Sequence, residues 1–385
     1  MGLTDDKFTV GIARCEGYGD DETREALRLA ISRAGGLPDI PCDEVLIKAN
    51  LLAPSAPEEA VTTHPSILSA LAGEMRGMDK SVHIADNPGY IFTNKEHLFG
   101  VTGIKSLSRA GGISFGLLSD LGVRPVKSDS FRAIPEARMA VRYLDAPYVI
   151  NAAKLKTHVE TETTGCIKNI FGAADTATRK KCHQSRSLLH LANAITDLFS
   201  IRPPDFNVMD AVVGMEGDGP SHGSPRKIGW ILSGRNALAV DWAASLIMGY
   251  RDPLKIPLIN AAASRGMGPR AQSEIILEGA VWSDLPSYGF KKSSGALRLV
   301  PTFLRGLAHN LVSLAPGLER GGCVRCGVCK QVCPVDAISD GADSYPAIKR
   351  NICVKCLCCH EMCPTGAMAV RKNILASIAG RFRGD

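Results

Sequence analysis

A run of cysteines that occurs twice decides the fold of one part of the chain: 321-GGCVRCGVCKQVCPVDAI-338 and 351-NICVKCLCCHEMCPTGAM-368. Each run has the spacing C-x2-C-x2-C-x3-C-P, and the second repeats the first 30 residues later. Matching positions beyond the proline also agree in character, since Ala337 and Ile338 correspond to Ala367 and Met368. The repeat indicates an internal duplication in which each half is a cysteine loop followed by a short helix and strand.

This spacing is typical of a site for two [4Fe–4S] clusters. Three thiolates two residues apart surround one face of a cubane, and the cysteine before the proline binds the other cluster. Crossed ligation predicts one cluster on Cys323, Cys326, Cys329 and Cys363, and a second on Cys353, Cys356, Cys359 and Cys333. Zinc is the alternative, but its sites pair two CxxC elements and need no third cysteine in each run. Cys358 is surplus, and we predict that it is not a ligand.

The two runs resemble the bacterial two-cluster ferredoxins. The resemblance implies a small α+β ferredoxin-like iron–sulfur domain over residues 321–371 that passes single electrons. Crossed ligation ties its halves together and stabilises a domain too small for a good hydrophobic core. Free ferredoxins tend to be acidic, whereas this segment has six basic residues against four acidic ones. The excess of basic residues favours a ferredoxin-like domain that functions as part of a larger protein.

Composition excludes several other classes of protein. The chain has 385 residues, 45% hydrophobic and 22% charged, with a net charge of +6 and only 5% aromatics, which does not favour nucleic-acid binding. No apolar run is long enough to span a membrane, and the start has no secretory h-region. Nine of the thirteen cysteines lie in residues 323–363, which favours metal over disulfides. We therefore predict a cytoplasmic protein.

The region before residue 285 alternates apolar runs with helical patterns. This alternation predicts an α/β domain with a mostly parallel sheet covered on both faces, over residues 1–285. The predicted strands are Phe8–Ala13, Val45–Asn50, Val82–Asp86, Tyr148–Ala152, Asn207–Val213 and Ile228–Ser233, and the helical patterns include Asp21–Ala34, Pro65–Met78 and Leu188–Phe199.

Polar residues follow four of these strands, where parallel sheets place their binding sites. Singly, each residue also suits a helix cap, a turn or a solvated strand end; together they predict a polar pocket. Its predicted binding residues are Lys48, Asn50, Thr63, His64, Asp86, Asn87, Lys168, Asn169, Glu216 and Asp218, and the predicted catalytic residues are Lys154, Lys156, His158 and Asp210.

The pocket residues suggest two kinds of chemistry. Lys154, Lys156, His158 and Lys168 place three ammonium groups and an imidazole near one loop, which suits an anionic substrate. The carboxylates of Asp86, Asp210, Glu216 and Asp218 suit a divalent cation or pairing with the lysines. His158 is an acid/base or a hydrogen-bonding residue. The Gly-rich segment 214–219 matches neither a P-loop nor a dinucleotide fingerprint, and we predict that Cys166 is an inert buried thiol rather than a nucleophile or ligand.

The large region resembles the DUF362 family. The segments that carry the resemblance are Leu46-Ile-Lys-Ala-Asn-Leu-Leu, Val61-Thr-Thr-His-Pro, Lys154-Leu-Lys-Thr-His, Lys168-Asn-Ile-Phe-Gly, Asp210 through Pro220, and Asp241 with Met248-Gly249. The resemblance covers about residues 8–285. It implies a prokaryotic redox-associated protein of a kind often fused to a cluster domain, and it implies no particular reaction.

Two basic segments flank the cluster domain. Residues 286–320 form a predicted basic amphipathic linker, in which Phe303, Leu304, Leu307, Leu311 and Leu314 have helical spacing. Such a helix either docks on the main domain or touches a membrane surface or a hydrophobic substrate. Residues 372–385 form a basic tail.

Three functions fit the sequence. The first is an oxidoreductase in which two [4Fe–4S] clusters feed electrons to a lysine-lined pocket that binds an anionic organic substrate. The second is a non-catalytic electron carrier to a partner oxidoreductase, and the third is a reductive factor in metallocofactor assembly. The expected partners are a redox protein or a small anionic substrate, with no nucleic acid and no transmembrane segment.

Overall fold

The computed structural model describes residues 8–89, 94–185, 187–292 and 314–372. The strands are β1 Phe8–Arg14, β2 Glu44–Lys48, β3 Ser81–Asp86, β4 Ile113–Leu117, β5 Val123–Val126, β6 Ala137–Ala140, β7 Val149–His158, β8 Glu162–Thr164, β9 Phe206–Asp218, β10 His222–Gly234, β11 Ile275–Glu278, β12 Leu314–Leu318, β13 Ile338–Asp340, β14 Pro346–Ile348 and β15 Met368–Lys372. The helices are α1 Asp20–Arg33, α2 Pro65–Arg76, α3 Lys95–Val101, α4 Val141–Asp145, α5 Cys166–Asn169, α6 Thr176–Cys182, α7 Leu188–Ile201, α8 Ala237–Ile247, α9 Pro257–Ala263, α10 Val328–Gln331 and α11 Cys358–Glu361.

Nine of the described strands form one mixed sheet, which confirms the predicted α/β class. The order is β11-β1-β10-β9-β7-β2-β3-β4, with β8 paired to β7. Strand β10 runs antiparallel to β1 and β9, and β8 runs antiparallel to β7, while the other neighbours are parallel. Because β2, β3, β7 and β9 are parallel neighbours, their carboxyl ends meet at one edge of the sheet.

Helices cover both faces of this sheet. The first core contains residues of α1, α2 and α3, and the second contains residues of α5, α7, α8 and α9. In α1 the apolar residues Ala26, Leu27, Ala30 and Ile31 are buried, and three acids stand in the first turn, where they favour the helix dipole. All ten residues of β7 are buried, as expected for a central strand covered on both faces.

Two segments that lie beyond the predicted ends of their strands are themselves part of strands. Residues 154–158 continue β7, where they pair with β8 and β9, and residues 214–218 continue β9, where they pair with β10. Polar side chains hid both extensions, because a buried strand is normally recognised by an uninterrupted apolar run. The predicted lysines therefore lie on the rigid centre of the sheet.

The cysteine runs form a small domain with two short antiparallel sheets, β12–β15 and β13–β14. Strand β12 lies inside the predicted linker, while residues 288–290 of the same linker attach to the large domain through hydrogen bonds to Ile247 and Met248. The predicted linker helix and the predicted basic tail beyond residue 372 lie outside the described residues. No helix in the described ranges has both the length and the apolarity that crossing a bilayer requires.

Candidate functional site

Lys48 and Asp86 form a buried ion pair where β2 and β3 end. Lys48 Nζ lies 2.7 Å from Asp86 Oδ1, and the side chains are 0% and 5% exposed. The backbone N–H groups of Leu51 and Asn87 also donate to the Asp86 carboxylate. Gly172 is required beside the pair, since a Cβ there would lie 2.3 Å from Asp86 Oδ1. These contacts give the predicted binding residues Lys48 and Asp86 a role in holding the strand ends together.

A second buried ion pair joins β7 to β9. Lys154 Nζ lies 2.9 Å from Asp210 Oδ2, and both side chains are 0% exposed. The hydroxyl of Tyr18 accepts from Lys154 and donates to Asp210, and the backbone N–H of His64 also donates to Asp210. The His64 ring stacks on Tyr18 with ring centroids 3.5 Å apart. Both charges in this cluster are therefore paired. Two of the four predicted catalytic residues, Lys154 and Asp210, form a structural ion pair with each other.

Lys156 is held differently, by neutral acceptors. Its ammonium donates to Asn50 Oδ1 at 3.0 Å and to the carbonyl of Val61 at 2.7 Å. The amide of Asn50 is oriented because its Nδ2 donates to Asn169, whose own Nδ2 donates to Asn151. Both partner atoms are hydrogen-bond acceptors, so two of the three N–H groups of the Lys156 ammonium are used in these bonds. The third N–H group can donate to a molecule in the cavity that Lys156 lines.

Burial, together with the nearby charges of Lys168 and Lys154, lowers the pKa of Lys156 to about 7. Lys156 is therefore charged below about pH 7 and neutral above it. We expect anion binding in the adjoining cavity to weaken as the pH rises from 6 to 8. The check is a calorimetric titration with small carboxylates and phosphate at each pH. A K156M variant should bind weakly at every pH, and an unchanged pH dependence in that variant would contradict the assignment to Lys156.

The cavity has a volume of about 370 Å³ and lies between the carboxyl edge of the sheet and the cysteine domain. Four of its lining residues are cations: Lys156, Lys168, Arg179 and Lys180. Lys168 Nζ lies 5.1 Å from the centre of the Phe171 ring and has no carboxylate within ion-pair distance among the described residues. Arg179 donates to Pro88 O and Thr176, while its Nε has no hydrogen-bond partner there. The cavity thus keeps positive charge available for an anion.

Buried acids and imidazoles face each other on the wall of this cavity. His158 Nε2 lies 3.4 Å from Glu361 Oε1, and His183 Nδ1 lies 3.1 Å from Glu160 Oε2. Burial, together with the nearby carboxylate of Glu160, raises the pKa of Glu361 to about 8. Burial also lowers the pKa of His158 well below its ordinary value. Glu361 therefore carries a proton at neutral pH, which relieves the repulsion between the two carboxylates.

Ligand atoms of His158, Glu160 and Glu361 lie within 4.8 Å of one another. His158 Nδ1 accepts the backbone N–H of Glu160 at 3.1 Å and that of Thr161 at 3.3 Å. A neutral imidazole that accepts at Nδ1 carries its proton on Nε2, so the Nε2–H group of His158 is on the side of Glu361 and the ring has no lone pair for a metal. The hydrogen bonds therefore favour a proton-carrying cluster over a cation site.

The carboxylates predicted to bind a divalent cation are not gathered into one group. Asp86 and Asp210 are neutralised by Lys48 and Lys154, and Glu216 lies 2.6 Å from Arg226. Asp218 lies at the end of β9. The alternative from the sequence, pairing with lysines, describes Asp86 and Asp210. The reason is electrostatic, since a buried carboxylate is stable only beside a cation or several hydrogen-bond donors.

The other predicted site residues have the following places. Asn50, Asn87, His158, Lys168 and Asn169 line the cavity together with Asp86 and Lys156. Thr63 accepts from Asn50 N and donates to Ala152 O, and His64 caps α2. Cys166 is fully buried, and burial together with Asp241 raises the pKa of its thiol, as expected of an inert thiol. No sequence pattern indicated Tyr18, Glu160, His183 or Glu361 as site residues. For Arg179 and its neighbours, the run 179-RKK-181 was a detectable signal of a second basic group.

The eight predicted ligand cysteines line two small cavities in the cysteine domain. One is lined by Cys323, Cys326, Cys329 and Cys363, and the other by Cys333, Cys353, Cys356 and Cys359. These are the two sets that crossed ligation predicts, and four thiolates around one cavity suit a [4Fe–4S] cluster. The backbone N–H of Ala337 donates to Cys333 Sγ at 3.1 Å. Cys358 lies outside both sets and lines the large cavity instead.

The cysteine domain packs directly on the sheet edge and closes the large cavity. Cys358, Glu361 and Met362, in and beside α11, form part of its wall. Gly89 permits this approach, because a Cβ there would lie 2.3 Å from Met362 Sδ. His222 Nε2 lies 2.8 Å from the carbonyl of His360, and Gln184 Nε2 donates to that of Pro334 at 3.1 Å. The residues that line the second thiol set are therefore neighbours of those that line the lysine-rich cavity.

A large α/β domain joined to a cysteine-rich domain of this kind defines an iron–sulfur electron-transfer protein. Two family models match the chain: the domain of unknown function DUF362 over residues 45–245, and the 4Fe-4S binding domain over residues 320–339. The chain belongs to the DUF362 family, as its sequence segments indicated. The second match supports at least one iron–sulfur cluster.

One relative and two solved structures are similar to the chain, and their similarity assigns no reaction to it. It is 26% identical over 268 residues to the thylakoid-associated protein sll1697 of Synechocystis sp., an alignment that covers 68% of this chain and 81% of the relative. Among solved structures it is similar to a Thermotoga maritima protein, with a TM-score of 0.37, 14% identity and 55% of each chain covered. It is also similar to the lactate racemase apoprotein of Thermoanaerobacterium thermosaccharolyticum, with a TM-score of 0.36, 10% identity and 61% of this chain covered. The chain thus spans about 55% of the length of these two structures.

Proposed function

We propose that this protein is an iron–sulfur oxidoreductase that reduces a small anionic organic substrate in the lysine-lined cavity. The observation that carries the proposal is the position of that cavity, which residues of the sheet edge and of the cysteine domain line together. A pure electron carrier needs no positively charged cavity of about 370 Å³ beside its thiols. The volume suits a small metabolite.

The proposal includes two [4Fe–4S] clusters, held by the two sets of four cysteines. When bound there, such clusters supply electrons one at a time. The domain boundaries follow from the same assignment: a DUF362-like domain over residues 1–285, a linker over 286–320, the two-cluster domain over 321–371 and a basic tail over 372–385. Reduction of an unsaturated bond takes up two electrons and two protons, and the electrons come from an external electron-carrier protein.

The side chains of the cavity bind the substrate and supply a proton. Lys168 and Arg179 offer N–H donors to an anionic group such as a carboxylate or phosphate. Lys156, whose pKa of about 7 suits proton transfer at neutral pH, supplies one proton from its uncommitted position, and the other comes from solvent. The cysteine domain covers one side of the cavity, and the lower polarity of this partly buried site strengthens these interactions. The substrate therefore carries an anionic group beside a reducible bond.

Replacing Lys168 by methionine should weaken anion binding at least about tenfold, because a charge-assisted hydrogen bond contributes about 1.5–3 kcal/mol. Calorimetric titration of the iron-loaded protein with simple carboxylates and inorganic phosphate measures this loss. The matched control is K181M, since Lys181 is exposed and does not line the cavity. Equal affinities in wild type, K168M and K181M would remove the anion site from the proposal.

The reaction itself is tested with a pool of small cellular metabolites. Protein reduced anaerobically with dithionite and freed of excess reductant is mixed with the pool, and mass spectrometry follows the metabolites while visible absorbance follows cluster reoxidation. We expect one anionic metabolite to gain two hydrogens as the absorbance returns, and K168M to lose both effects with intact cluster spectra. If wild type reoxidises no faster with the pool than without it, the carrier function is supported instead.

A further inference from the structure

The two halves of the cysteine domain differ in exposure, although their sequences repeat. Cys326 is exposed and Cys323 half-buried, while their counterparts Cys356 and Cys353 are half-buried and buried. Val324 is 63% exposed, whereas its counterpart Val354 is half-buried. The second half is covered because Leu357 is only 3% exposed and packs against Val159 of the large domain. The first thiol set is therefore the one that faces outward.

The surface around the first set is basic with an apolar centre. We call it the Val324 surface and define it by Arg320, Val324, Arg325 and Tyr345. The guanidinium groups of Arg320 and Arg325 lie 5.2 and 4.8 Å from the centre of the Tyr345 ring. Arg320 also pairs with Asp343 at 2.7 Å, whereas Arg325 has no carboxylate within ion-pair distance among the described residues. Arginines in contact with a tyrosine ring are a combination enriched at protein–protein interfaces.

The charge of the whole domain extends this pattern. Residues 314–372 contain eight Lys and Arg against five Asp and Glu. Of the acids, Glu361 is buried at the large cavity, and Asp340 and Asp343 are paired with Lys330 and Arg320, which leaves Glu319 and Asp336. Because, among the described residues of the domain, more cations than acids are outside ion pairs, the domain has an excess of positive charge that attracts a partner of negative charge.

We propose that the Val324 surface is the docking site for a small acidic electron-carrier protein. The inference rests on the iron–sulfur part of the proposed function and names the partner that this part requires. An apolar patch on the carrier covers Val324, and carboxylates around that patch approach Arg320 and Arg325. Charge complementarity raises the association rate and fixes the orientation, so the interaction is weakened by salt.

The experiment measures binding of the full-length, iron-loaded protein to an acidic bacterial ferredoxin in its oxidised form, by biolayer interferometry at several salt concentrations. Replacing Arg325 by glutamate should weaken binding at least about tenfold at low salt and flatten the salt dependence. The internal repeat offers a matched control in K355E, since Lys355 is the exposed counterpart of Arg325 on the covered half. We expect K355E to bind within about twofold of wild type.

Two further readouts make the outcome decisive. Visible absorbance and iron content should be unchanged in R325E, and its affinity for small anions in the large cavity should equal that of wild type. This separates loss of the docking site from loss of the proposed substrate site. The proposal is overturned if R325E binds the ferredoxin as wild type does, if K355E weakens binding equally, or if wild type shows no salt-sensitive binding.

Discussion

Replacing Lys154 by methionine is expected to lower the free energy of unfolding by about 3–5 kcal/mol, because it leaves Asp210 as a buried charge without its cation. Three other donors remain, the Tyr18 hydroxyl and the backbone N–H groups of His64 and Val212, and they offset only part of the loss. The pair lies at the junction of β7 and β9 in the middle of the sheet. Its removal should therefore destabilise the whole large domain.

Anaerobic urea denaturation followed by tryptophan fluorescence measures this effect. All three tryptophans, Trp230, Trp242 and Trp282, belong to the large domain, so the signal reports that domain alone. The control is the double variant K154M/D210N, in which the charge of residue 210 is also removed and which should recover most of the stability. If the K154M protein unfolds like wild type but no longer reduces a substrate, the prediction is wrong. Lys154 would then have the catalytic role that the sequence suggested.

Replacing Cys326 and Cys363 together by alanine is expected to remove about half of the iron and acid-labile sulfide of the protein. These residues stand 37 positions apart in the sequence, yet they line the same cavity, and they supply two of its four thiolates. Two thiolates cannot hold the cluster, whereas the set formed by Cys333, Cys353, Cys356 and Cys359 is untouched. Iron and sulfide analysis with visible absorption spectra measures the loss.

The matched control is C358A. Cys358 lies in the second cysteine run, as Cys363 does, but it belongs to neither of the two sets of four ligand cysteines. The C358A variant should retain all of the iron, because Cys358 lines the large cavity instead. An equal loss of iron in C358A would overturn the assignment of ligands. Protein prepared anaerobically that contains zinc and no sulfide would overturn the proposal of iron–sulfur clusters altogether.

Long-range contacts explain why the sequence analysis placed the lysines incorrectly. Residues 154–158 were assigned to a loop because lysine and histidine interrupt the apolar pattern of β7, and only their neighbours on β8 and β9 make them a strand. The pairing of Lys48 with Asp86 and of Lys154 with Asp210 joins residues 38 and 56 positions apart. The local pattern of polar and apolar residues carries no information on contacts between residues so far apart in the chain. A lysine that pairs with a carboxylate therefore cannot be told in the sequence from a lysine that does not.

Thiolate spacing and the periodicity of burial are local properties of the chain, so the two cysteine sets, the α/β alternation and the family were recognisable in the sequence. Tertiary contacts set which lysines pair with a carboxylate and which line the cavity without one among the described residues. Docking of the cysteine domain on the sheet edge brings Glu361 to His158 and encloses Lys156, Lys168 and Arg179 in one cavity. The cavity depends on the packing of two surfaces whose residues are far apart in the chain. That packing separates the lysines that form structural ion pairs from the cations that line the cavity.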